Sequence, residues 1–205
     1  SALTVQDAEF IMRLDATLFK MLELGYTYDN QDGKHDNDWF LHGKFCFYGP
    51  GNAAIKSSGN SALAIGGNYQ ATEDNNQESN HGQLYLAATY GGTFFSLPAE
   101  TTIVVGKTFG NDIPHSDIDF SMGFDLDMFP SVLKGYVHWI NDFSNYAYQV
   151  NTHDFDNDRG IYSTGARLII PIMDRFKINV DALLIDLLDD TREFGVTVSA
   201  GAAIL

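Results

Sequence analysis

The alternation within residues 117–129 limits this chain more than any other feature. Ile118, Phe120, Met122, Phe124, Leu126 and Met128 share one parity, and Asp119, Ser121, Gly123, Asp125 and Asp127 share the other. A helix cannot separate residues in this way, because its same-face neighbours stand three or four apart; in a strand, successive side chains point to opposite faces. The same period runs through residues 194–204, with Phe194, Val196 and Val198 against Gly195, Thr197 and Ser199. It recurs at 176–184, 161–172, 83–90, 39–47 and 21–28. It is weaker at 61–70 and at 101–109, where Lys107 shares parity with Ile103 and Val105. Residues 9–18 alternate as well. Residues 1–20 therefore read as an N-terminal extension, as the start of a long first strand kinked near Leu18-Phe19, or as an extra strand.

Connections between these segments alternate between two kinds. Long polar ones lie at 30–37, 72–81, 110–116, 142–160 and 189–193; shorter ones lie at 96–100, 129–131, 173–175 and, somewhat longer, 49–60. Long loops at one end and tight turns at the other suit an up-and-down meander. The expectation is all-β: a single domain over residues 1–205, forming an antiparallel up-and-down transmembrane β-barrel of about ten strands, with eight to twelve compatible.

Composition separates membrane barrels from other classes. Charged residues make up 19% of the chain and aromatics 13%, against roughly 25% charged in ordinary soluble domains. The net charge is −15, so there is no basic surface for nucleic acid. A single cysteine, Cys46, rules out an internal disulfide. No apolar run reaches the ~18 residues of a membrane helix, but a spanning strand needs only ~9–11. Ser1 to Thr4 show no basic start leading into an apolar run, so no export leader is read there.

Period two alone would also fit a soluble barrel with its apolar face inward. Two features favour the inverted arrangement. The polar parity is small and mixed, carrying Gly25, Gly43, Gly123, Gly165, Gly195 and Gly201 beside scattered ions, whereas a solvated face usually carries charged and threonine side chains. Aromatics also gather at strand ends. Tyr28, Trp39, Trp139, Tyr162 and Phe194 border the long loops, as an aromatic girdle at a membrane interface would.

On this pattern, residues 21–205 resemble the bacterial outer-membrane β-barrel superfamily, in the manner of small porins and OmpA-like or OmpW-like barrels. The resemblance implies location in the bacterial outer membrane, with the lipid bilayer and lipopolysaccharide as surroundings. One departure is the C-terminus, Ala202-Ala203-Ile204-Leu205, where such barrels often carry an aromatic.

The lumen parity then holds Glu23, Asp119, Asp125, Asp127 and Asp181 together with Lys44, Lys134, Arg167 and Lys177, and His42 and His138 nearby. Buried charges must pair, so a narrow or plugged pore is expected, in a structural membrane protein with acidic extracellular loops. Two other functions fit the residues: a surface-interaction barrel that binds an outer-membrane or surface protein, and a soluble barrel holding a small apolar ligand. In the 142–160 loop, Asp154, Asp156 and Asp158 are spaced so that they can wrap a hard cation such as calcium. The glycine there comes one place late for an EF-hand turn, so a solvated acidic loop is the default and no cofactor is expected. Phospholipase-like and deacylase-like barrels place His two residues before Ser, but here Gln77 stands before Ser79. No catalytic residue is assigned and no enzyme is expected.

Overall fold

The computed structural model describes residues 10–19, 21–30, 37–50, 53–57, 59–74, 77–110, 118–145, 160–173, 176–188 and 193–202. They form twelve strands and one short helix. The strands are β1 (Phe10–Leu18), β2 (Leu22–Asn30), β3 (Asn37–Gly49), β4 (Ile55–Lys56), β5 (Ser61–Asp74), β6 (Gln77–Phe94) and β7 (Leu97–Gly110), followed by β8 (Asp119–Asp127), β9 (Val137–Ser144), β10 (Ile161–Met173), β11 (Phe176–Ile185) and β12 (Glu193–Ala202). The helical turn α1 covers Pro130–Leu133.

All twelve strands belong to one sheet. Eleven follow each other along an antiparallel meander, and β4 adds two parallel pairs to the end of β3. Among the described residues no ladder joins β1 to β12. Because the path holds eleven strands, β1 and β12 run in the same direction. About ten strands were expected; the difference lies in β4 and β1. β1 is a separate strand, paired with β2 from Phe10↔Asn30 to Leu18↔Leu22, so residues 10–18 are neither an extension nor the start of one long strand. The chain reverses at Phe19, whose φ of 52° lies in the left-handed region.

Alternation is clearest along β5 and β6, where it separates two surfaces of opposite character; β1, β8 and β9 do not keep it, and Leu126 on the apolar parity of β8 is buried. On one face Leu84 is 62% exposed, Leu86 57% and Ile65 50%. On the other, Gln83 is 4% exposed, Asp181 6% and Gln70 8%. Among the described residues no large side chain is fully buried, and the buried hydrophobics are three alanines and Leu126. An ordinary soluble domain buries its large apolar residues and exposes the polar ones. Here the shielded surface is the polar one.

Turn chemistry sets where the strands reverse. Phe95 and Ser96 both take positive φ, which is the two-residue hairpin geometry whose twist matches that of the strands. In α1, Pro130 sits in the first turn, where its missing N–H costs nothing. Lys134 closes the turn with its backbone N–H on Pro130 O. This corrects the lumen expectation for Lys134: it is exposed, on a helical cap rather than on a strand. It also corrects the girdle at Trp139. Trp139 is the third residue of β9, counted from the α1 side, and lies opposite Leu126 near the short-turn end of β8. Trp39 follows the 31–36 loop. The two tryptophans therefore sit at opposite ends of the sheet.

Candidate functional site

Strand pairing assembles the inward face in cross-strand rows. One row runs Asp15, Gly25, His42, Asn68, Gln83 and Thr108 across β1, β2, β3, β5, β6 and β7. Its far half is a hydrogen-bonded chain. Asn68 Nδ2 donates to Gln83 Oε1 at 2.9 Å, Gln83 Nε2 donates to Asp119 Oδ2 at 2.7 Å, and the Thr108 hydroxyl donates to the same oxygen at 2.6 Å. Two amides, a hydroxyl and a carboxylate thus satisfy each other without a metal or a lysine, as shielded polar groups require. The neighbouring row runs Glu23, Lys44, Gly66, Tyr85 and Gly106. A Cβ at Gly66 would strike the Tyr85 ring, and one at Gly106 would press on the Tyr85 Cβ. Glycine on both sides gives that phenol the room to lie flat along the wall.

Ion pairs occupy the rest of the wall. Arg167 grips Asp181 through two bonds of 2.8 Å, one from Nε and one from Nη2. His138 Nδ1 stands 2.6 Å from Asp125 Oδ1, and its Nε2 lies 3.2 Å from Gly135 O. Lys44 Nζ lies 2.8 Å from Glu23 Oε2, and Arg13 Nε donates to Asp15 Oδ2 at 2.8 Å. Asp127 lies opposite His138, with Oδ1 buried and without a hydrogen bond. Lys177 is exposed at the short-turn end of β11. Arg13, Lys44 and Arg167 are therefore each matched to a carboxylate, while Glu100, Asp119 and Asp142 on the same face have no cation within salt-bridge range among the described residues.

Part of this face, including Glu23, His42, Lys44, Asn68 and Tyr85, lines an open cavity of about 1060 Å³. Residues of every path strand from β1 to β11 line it. It reaches Trp39 and Asp142 towards the long loops, and Cys46, Ala62 and Glu100 towards the short turns. From Trp39 to Cys46 that is roughly 23 Å along β3. Cys46 is a free thiol that donates to Tyr48 O at 3.4 Å.

Tyr28, Trp39, Tyr162 and Phe194 lie at the long-loop ends of their strands. The Trp39 ring packs on Tyr69 with centroids 5.3 Å apart. The Tyr162 hydroxyl donates to Asn141 Oδ1 at 2.8 Å. Trp139, 42% exposed, donates its indole N–H to Thr164 Oγ1 at 2.8 Å. Each of these last two rings keeps its polar edge satisfied while its body faces outward. Asp154, Asp156 and Asp158 lie outside the described residues, so the calcium expectation has no geometry to meet.

Comparison with protein-family models, curated proteins and solved structures returns no match. The reading of the site therefore rests on its own geometry.

Strand register also reveals a group that parity did not. Asp15, Glu23 and His42 bring their ligand atoms within 4.8 Å of one another. His42 and Glu23 were recognisable as inward residues; Asp15 was not, because the strand holding it had no settled place. Alternation within 9–18, combined with a turn at Phe19, is the signal that would have aligned it with Gly25.

Proposed function

We propose that this chain is a bacterial outer-membrane β-barrel protein whose lumen is a narrow pore preferring cations. The single observation behind this reading is the reversed polarity of the sheet: Leu84 and Leu86 are exposed while Gln83 between them is shielded. Water penalises that arrangement and lipid favours it, since an outward apolar band and a polar interior are what a spanning barrel needs. No helix among the described residues is long and apolar enough to cross a membrane, so on this reading crossing falls to the strands.

The cavity supports passage over a filled plug. Its roughly 23 Å run along β3, on strands tilted by about 40°, spans roughly 18 Å, most of the ~25 Å apolar band of such barrels. The excess of carboxylates, with Glu100 and Asp142 at opposite ends of the cavity, favours cations over anions. The soluble alternative would place an apolar ligand inside; the cavity wall mixes Phe40, Ala64, Ala87 and Val104 with Asn68, Gln70 and the Lys44–Glu23 ion pair, and that charged pair weighs against such a ligand.

Planar-bilayer recording tests the pore. Wild type should give a small conductance with a reversal potential shifted towards the cation. Changing both Glu100 and Asp142 to the amides should reduce that selectivity while the channel still opens. A detergent-free monodisperse monomer with no conductance would overturn the reading.

A further inference from the structure

We propose that Asp15, Glu23 and His42 form a binding site for a first-row divalent transition-metal ion, of which zinc is the natural representative. All three side chains come from consecutive strands joined by sheet pairing. Asp15 faces Gly25, and Gly25 faces His42. A Cβ at Gly25 would overlap His42 Cε1 and Asp15 Oδ1. The missing side chain is therefore the space in which an imidazole and a carboxylate meet.

Each carboxylate has one oxygen already committed. Arg13 holds Asp15 Oδ2 and Lys44 holds Glu23 Oε2, both at 2.8 Å. The remaining oxygens turn towards the histidine: Asp15 Oδ1 lies 3.1 Å and Glu23 Oε1 3.5 Å from His42 Nε2. Such outer partners orient metal-binding carboxylates.

The decisive group is His42. Its side chain is only 7% exposed, and Nε2 is buried without a hydrogen bond of acceptable geometry to either oxygen. A shielded ring nitrogen left this way is costly unless something else meets it. Ligands at about 2.0–2.1 Å in tetrahedral array stand about 3.3 Å apart, and the two measured separations bracket that value. One imidazole and two carboxylates suit zinc better than calcium or magnesium, which take oxygen ligands. A lumen water can fill the fourth position. The site depends only on the register of β1, β2 and β3, so it stands whether or not the barrel conducts.

Calorimetric titration of the folded, metal-stripped full-length chain in detergent with zinc tests this. One ion should bind per chain, with magnesium and calcium failing to compete. Cobalt in place of zinc should show the strong visible absorption of a tetrahedral centre. H42A and E23Q should weaken zinc by roughly 10–100-fold or more, as loss of a ligand outweighs loss of an outer partner. G25A keeps every ligand yet should abolish binding by filling the space between them. Heat-dependent gel mobility would report whether each variant is folded. Equal zinc binding by wild type and H42A would place the ion elsewhere and overturn the site, as would no binding at all by folded wild type.

Discussion

At the scale of single residues, the shielded polar face depends on Arg167 and Asp181. The carboxylate is 8% exposed and the guanidinium 35%, and two parallel bonds join them. Arg167→Ala would leave a shielded carboxylate without its cation. The expected loss is about 3 kcal/mol, the low end for a broken buried pair because Arg167 keeps some water. Replacing both with apolar residues of similar size should cost less than the single change. Urea unfolding of detergent-folded protein, compared at the midpoints, measures both. Parity along 161–172 and 176–184 already put Arg167 and Asp181 on the lumen side, but parity does not name a partner. Asp125 shows the gap: its parity puts it in one interior with Lys134, Arg167, Lys177 and His138, and the structure selects His138. Pairing depends on register, and register depends on where each turn begins.

Among elements, β6 states the membrane reading most sharply. It is 18 residues long, and its outward side carries Leu84, Leu86 and Tyr90, all more than half exposed. Leu86→Arg should cost ~2–4 kcal/mol if that position lies in the middle of a bilayer. In a protein surrounded by water the same change would be close to neutral. Refolding into lipid vesicles, followed by denaturant titration, distinguishes the two. The strands themselves were readable because period two survives any error in their ends. The turns were not. The connection at 129–131 looked tight, yet it contains the helical turn Pro130–Leu133. That extra length moves Trp139 away from the long loops and towards the short turns. A lipid quencher confined to one leaflet should accordingly reach only one of Trp39 and Trp139, and equal quenching of both from a single leaflet would contradict the register of β9.

At the scale of the molecule, the described residues form a sheet around a cavity of mixed lining, with edges β1 and β12. Among the described residues the path holds eleven strands, an odd number, and this has a consequence for orientation. In a barrel with an even number of antiparallel strands, both ends of the chain leave on the same side. Here the polypeptide enters β1 at Phe10, beside Asn30 and the long loops. It leaves β12 at Ala202, beside Phe176 and the short turns. In a cell envelope those points would lie on opposite sides of one membrane. An epitope tag placed before Phe10 should be stained on intact cells, and one placed after Ala202 only once the outer membrane is opened. On the membrane reading, Phe10 and Ala202 would then have addresses in two compartments, so a label beside the first would be displayed outward while one beside the second stayed within.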